Sequence, residues 1–314
     1  MSARMTRFRL RRVALFTALS LLCATTARAQ RTHVLLVSGL SGDPVYKARF
    51  ANAVTAVRTA ASTRWGVTDS SLVVLTEDST GVHGRSTREN IGAAFVALAK
   101  RAQPGDVVLV LLMGHGSGEG ATSKVNLPGP DATAAEYAAW LLPFAKQQLV
   151  FVNAATGSGD FVPALSSPGR VIVTATRSAV EKNDAEFLQH FTRALTTDDA
   201  DANKDGRLSV LEAFRFARAE VIKSYETTNR MLTEHAVLSD SVAAMRVAFG
   251  RTPTTTDPRI AALIAERQAL ESQVAALRAR KGSMDSGAYD AELERLLLAI
   301  AERTAAIKAA GGAR

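Results

Sequence analysis

Apolar residues along this chain follow two alternating patterns. Short unbroken runs span His33 to Ser38, Ser71 to Leu75, Asp106 to Met113, Gln148 to Val152 and Arg170 to Thr176. Runs of this length, apolar throughout, predict strands covered on both faces. Between them lie stretches with helical spacing: Tyr46 to Trp65 with Phe50, Val54 and Val57 on one side, and a helix opening at Ser86 or Thr87 with Ile91, Phe95 and Leu98. Pro104-Gly105 closes the latter. Thr133-Ala134-Ala135-Glu136 is a capping box and predicts a helix through Trp140. Phe187 to Leu195 and Val210 to Tyr225 predict two more, on either side of an acidic loop. Repeated β-then-α alternation predicts an α/β fold with a mostly parallel sheet and helices on both sides.

After Arg251-Thr-Pro-Thr-Thr-Thr-Asp-Pro258, a linker composition, the chain turns to Ala, Leu, Glu and Arg. Ile260, Leu263, Leu270, Val274 and Leu277 keep a three-four spacing. Tyr289, Leu293, Leu296, Ile300 and Ile307 do the same beyond Lys281-Gly282-Ser283. Residues 259–310 therefore predict an α-helical hairpin, coiled-coil-like in pattern, for packing on the main domain or for self-association.

Targeting changes the charge picture. Arg4, Arg7, Arg9, Arg11 and Arg12 precede an apolar run from Val13 to Ala24 and then Ala27-Arg28-Ala29. This is the pattern of a cleaved signal peptide over residues 1–29, with Gln30 as the first mature residue. The apolar run is too short for a permanent membrane anchor, so the expected location is periplasmic or secreted. Arg11-Arg12 leaves two export routes, unfolded or folded, open. The whole chain carries 38 basic and 30 acidic residues, yet residues 1–29 hold six arginines and no acid. The remainder is nearly balanced, which argues against nucleic acid as a partner. The one cysteine, Cys23, falls in the same segment. A mature chain without it forms no disulfide and has no thiolate for metal binding or attack.

Two loops at strand ends hold the candidate chemistry. Gly114-His115-Gly116 follows one apolar run, and Asn153-Ala154-Ala155-Thr156-Gly157-Ser158-Gly159 follows the next. In parallel sheets, sites form beyond the carboxyl ends of strands, so the two loops are expected to face one another. This order resembles the caspase and legumain group of cysteine peptidases over about residues 31–250. There a histidine follows one strand and the nucleophilic cysteine the next, in a loop of the type Asp-Ala-Cys-His-Ser-Gly. The resemblance implies a caspase-like three-layer α/β/α sandwich in residues 30–250, with His115 at the histidine position and Ala155 at that of the missing nucleophile. Without sulfur the family's covalent route is lost, which implies a pseudopeptidase that binds a peptide or protein without cutting it. An alternative keeps hydrolysis, with Ser158 or Thr156 as nucleophile and His115 as base. However, Thr156-Gly-Ser-Gly is not the Gly-x-Ser-x-Gly elbow of serine hydrolases. Substrate selection in the family uses an arginine, but Lys47, Arg49 and Arg177 match no such position.

The most complete motif lies elsewhere. Asp201-Ala-Asn203-Lys-Asp205-Gly206-Arg207-Leu208-Ser209-Val-Leu-Glu212 fits the EF-hand calcium loop. Asp201, Asn203 and Asp205 offer side-chain oxygens, and Gly206 permits the turn. Arg207 offers its carbonyl, Ser209 ligates directly or through water, and Glu212 closes the site. An all-oxygen donor set selects Ca²⁺ over transition metals. A single embedded loop of this kind is expected to staple a fold, so a third reading is a calcium-stabilised assembly protein. Thr233-Glu234-His235-Ala236 forms a polar cluster, expected as a loop or helix-end contact.

Overall fold

A computed structural model describes residues 30–250 and 257–310, so the signal peptide expected over residues 1–29, Cys23 and most of the expected linker lie outside the described residues. In chain order, β1 (Thr32–Ser38), α1 (Pro44–Thr63), β2 (Leu72–Thr76), β3 (Gly84–Arg85) and α2 (Arg88–Arg101) lead to β4 (Val107–Met113). A small antiparallel ribbon of β5 (Gly116–Ser117), β6 (Lys124–Val125) and β7 (Ala132–Thr133) precedes α3 (Ala134–Trp140). Then come β8 (Gln148–Asn153), α4 (Phe161–Leu165), β9 (Val171–Thr174), α5 (Phe187–Thr196), β10 (Leu208–Ser209) and α6 (Val210–Thr227). The chain continues through β11 (Val237–Leu238), α7 (Ser241–Arg246) and β12 (Ala248–Phe249) to the paired helices α8 (Pro258–Ala279) and α9 (Ser286–Ala309).

The main sheet has the order β11-β9-β8-β4-β1-β2-β3, parallel throughout except for the antiparallel pair β11–β9. Strand alternation divides β1 between two cores. Val34 and Leu36 pack with Phe50 and Val57 of α1, Phe187 and Phe191 of α5 and Phe214 of α6. Leu35 and Val37 pack with Ile91, Phe95 and Leu98 of α2, Tyr137 of α3 and Phe161 of α4. Helices therefore cover both faces, as the apolar runs require. Each fully buried large side chain contributes about 1.5–3 kcal/mol.

Helix boundaries follow local chemistry. Asp43 caps α1 by accepting from the Val45 N–H, with Pro44 at the first helical position. Thr133 and Glu136 close the predicted capping box at α3. The expected strands shift by a few residues: Ser71 forms the end of a short 3₁₀ turn, and Arg170, Ala175, Thr176 lie outside β9. Beyond the expected elements are the β5–β7 ribbon, α4, and the two-residue strands β3, β10, β11 and β12, too short to show periodicity. The C-terminal helices meet through Leu270, Val274 and Leu277 on α8 and Tyr289, Leu293 and Leu296 on α9. No helix among the described residues is long and apolar enough to cross a membrane.

Candidate functional site

β4 and β8 run side by side, with Leu112 opposite Asn153, so the loops carrying His115 and Ala155 leave the sheet together. Their approach depends on glycine. A Cβ on Gly116 would stand 2.4 Å from the Thr156 carbonyl oxygen, and one on Gly159 would lie 2.1 Å from the Arg177 carbonyl carbon. Gly116, the second glycine of Gly-His-Gly, is thus a packing requirement between two strand exits, whatever the motif's chemical role.

His115 is half-buried, with the Tyr46 ring edge-on at 4.6 Å and Phe50 at 5.6 Å between ring centroids. Tyr46, Phe50, Ala154, Thr156 and Leu188 are among the residues enclosing a cavity of only about 10 Å³ beside it. Arg49 and Asp184, ion-paired at 2.7 Å, also line it, and the Arg49 guanidinium lies 5.2 Å from the Tyr46 ring centre. One water molecule nearly fills such a space. Ala155 is fully buried. Two N–H groups at these strand ends are engaged: Ala155 N–H donates to Asn153 Oδ1 at 3.1 Å and Gly116 N–H to Thr156 Oγ1 at 3.4 Å.

Of the two alternative nucleophiles, Thr156 lines this cavity and Ser158 does not. Ser158 is 1% exposed and its Oγ sits 3.2 Å from Thr176 Oγ1 in a buried hydroxyl pair that ties β8's exit to β9's. The loop's turn at Gly157 carries Ser158 toward β9, where its hydroxyl meets that of Thr176. Lys47 pairs with Asp78 and Arg177 with Glu181, both as exposed or half-exposed surface contacts.

The 201–212 loop has the backbone its sequence requires. Gly206 adopts φ 77° and Lys204 φ 56°. Asp201 Oδ2 accepts from Gly206 N–H at 2.9 Å, and its Oδ1 from Asp205 N–H at 3.2 Å. Asp205 Oδ1 accepts from Arg207 N–H at 2.7 Å. These bonds curl the chain around its own carboxylates. Leu208-Ser209 then forms β10, antiparallel to β12. Ser209 and Glu212 make a capping box that starts α6. Glu212 Oε1 reaches back to the Asn203 N–H at 3.4 Å, across the loop. Burial pushes the Asp205 and Glu212 carboxyls above their ordinary range.

α8 packs directly on this loop. Arg267, 6% exposed, lies 3.4 Å from Asp205 Oδ2 and 3.5 Å from Glu271, while Glu271 Oε1 accepts from Asn203 Nδ2 at 3.4 Å. Burial raises the Glu271 carboxyl to about 7. Among the described residues, no three His, Cys, Asp or Glu side chains converge as a metal site. Asp205 turns toward Arg267 and Glu212 toward Ser209, which spreads the loop's acids. The oxygen donors nevertheless fit a hard cation in kind and order: Asp201, Asn203, Asp205, the Arg207 carbonyl, Ser209 and Glu212.

Sequence reasoning missed the role of Glu234. It is 3% exposed and accepts from the N–H groups of Glu186 at 2.7 Å and Phe187 at 3.2 Å. It thereby caps α5, whose own first residue supplies no side-chain cap. His235 beside it contacts Glu181 at 2.7 Å. The Glu-His spelling marked a polar cluster, but only the tertiary fold shows which helix end it serves.

No protein-family model matches the chain, and no curated protein matches it. Among solved structures, the chain is similar to a Geobacter sulfurreducens protein determined as a structural-genomics target. The match has 13% identity and a TM-score of 0.42, and covers 73% of this chain and 96% of that one.

Proposed function

We propose that this chain is a non-catalytic relative of the caspase and legumain peptidases, exported from the cell, that binds Ca²⁺ through the 201–212 loop and works as a protein- or peptide-binding module. The observation that carries the loss of catalysis is the crowded space at His115. An alanine stands at the expected nucleophile position, fully buried, and the cavity holds about 10 Å³. The rings of Tyr46 and Phe50 crowd the approach to His115, and Thr156, which lines the cavity together with Tyr46, has little room for an acyl group. The mostly parallel sheet with helices on both faces supports this reading. Calcium binding is supported by the complete oxygen set and by the turn at Lys204–Gly206.

Two measurements test the parts separately. Incubation of mature protein with a peptide library is expected to give no cleavage; cleavage that disappears in His115→Ala sinks the non-catalytic reading. A thermal melt with saturating Ca²⁺ is expected to rise, because a ligand at 100 times its Kd stabilises by about 2.7 kcal/mol. That corresponds to roughly 5–10 °C in a domain of this size. An unmoved melt in the wild type, or the same rise in Asp201→Ala, sinks the calcium reading.

A further inference from the structure

We propose that the groove between α6 and the edge strand β11 receives an acidic peptide segment in extended conformation, which adds to the main sheet as a further strand. This inference depends neither on calcium nor on the loss of catalysis. It places the partner's binding surface away from His115.

Among the described residues, β11 is the last strand of its sheet, paired only with β9. Its register sets Val237 opposite Thr174 and Leu238 opposite Val173, and the Ser239 N–H donates to the Ile172 carbonyl. Hydrogen-bonded pairs alternate along an antiparallel ladder. Ser239 and Val237 therefore turn their backbone groups to β9, and Leu238 turns its N–H and C=O to the outer edge. An incoming strand meets those two groups first.

Beside this edge is a groove of about 710 Å³, and α6 supplies its other wall. Leu211, Phe214 and Ile222 give it an apolar floor, while Arg215 and Arg218 stand on the same stripe of the helix. Both arginines are exposed, and neither has an ion pair or hydrogen bond among the described residues. No acidic residue lines the groove. A slot between a helix and a sheet edge is the geometry in which extended peptides dock by strand addition, with the backbone giving affinity and pockets for alternate side chains giving selectivity. Arg215 and Arg218 are about 4.5 Å apart along the helix axis. Alternate residues of a strand are about 7 Å apart, within the span of two long guanidinium side chains. Two unpaired cations over an apolar floor select a segment that alternates acidic and apolar residues. A second copy of this chain is disfavoured as the occupant: a two-fold pairing of β11 edges brings the same arginines of both copies together.

The test uses a fluorescein-labelled Glu-Val-Glu-Val-Glu-Val peptide and fluorescence anisotropy with the mature chain. Saturable binding is expected, at least tenfold weaker for the Arg215→Ala/Arg218→Ala double variant. The thermal melt of that variant should be unchanged, since both side chains are exposed. A probe with Lys in place of Glu should not bind. A probe N-methylated at alternate backbone nitrogens should bind at least tenfold more weakly, because strand addition needs those N–H groups. The proposal is overturned by no saturable binding at millimolar probe or by equal affinity of the double variant. Equal binding of the N-methylated probe, or a concentration-dependent dimer broken by the double substitution, overturns it as well.

Discussion

Glu234 offers a way to read the fold's electrostatics through a pH titration of stability. Its carboxylate is 3% exposed and receives two N–H donors from the start of α5. Those bonds favour the charged form, but burial outweighs them and lifts the carboxyl to about 7, with Glu186 and Asp184 adding repulsion. In the open chain the group returns to about 4.5. Between these values the folded protein holds a proton that the unfolded chain has lost, so protonation favours folding. The contribution is complete below pH 4.5 and disappears as pH rises through 7. The separation corresponds to an upper figure of about 3 kcal/mol. In a domain of this size that is roughly 5–10 °C of melting temperature.

The clean perturbation is Glu234→Gln, which keeps the shape and one acceptor while fixing the site neutral. Melts from pH 4.5 to 8 by circular dichroism should give nearly coincident values for the two proteins at the acid end. The variant should become progressively more stable than the wild type toward pH 8. Other groups titrate in the same window. Burial lowers the His190 imidazole, which works in the opposite sense by costing stability as pH falls below 6.5. The difference between the two proteins cancels His190, so it isolates Glu234. Parallel curves over the whole range refute the argument, and so does a variant that loses stability at every pH, since the charged cap would then outweigh its burial.

Two further expectations follow from packing. Ala155→Cys, in a chain expressed without residues 1–29 and so with no other cysteine, should restore no peptidase activity and react slowly with a maleimide; adding Tyr46→Ala should speed labelling at least tenfold if the Tyr46 ring covers the cavity. Equal labelling rates remove that role from Tyr46. Tyr137 is fully buried and its hydroxyl has no hydrogen-bond partner among the described residues, so Tyr137→Phe should stabilise by about 1 kcal/mol in urea unfolding. A loss of stability shows that the hydroxyl is satisfied.

Strand cores were legible because burial on both faces writes an unbroken apolar run, as in Val107–Met113. The calcium-type loop was legible because its requirements are local, with Asp201, Gly206 and Glu212 at fixed spacing in one segment. The closure at His115 was not. Tyr46 and Phe50 satisfy the helical spacing of a core face, and nothing in that spacing separates a residue facing the sheet from one lying across a strand end. The partner of Ser158 was not legible for a related reason: its distance in sequence from Ala155 is small, but the turn at Gly157 sends it to Thr176. The edge of β11 was invisible because two residues cannot carry a period.

The hairpin and the acidic loop, separate in sequence, form one electrostatic unit. α8 brings Arg267 to Asp205 and Glu271 to Asn203, so it adds one cation and one acid to a loop that already holds three acids. Arg267 alone would oppose a divalent cation by occupying its counter-charge place, whereas Glu271, held near 7 by burial, would favour one. The nearer charge to a loop carboxylate is that of Arg267, whose guanidinium is itself buried and so poorly screened. For the Ca²⁺ binding proposed above, linkage would give the sign: Ca²⁺ at the loop would weaken the Arg267–Asp205 contact by the factor by which that contact weakens Ca²⁺ binding. The linker composition that sets the hairpin apart in sequence therefore marks a change in local structure, while the charges of the two segments answer to each other.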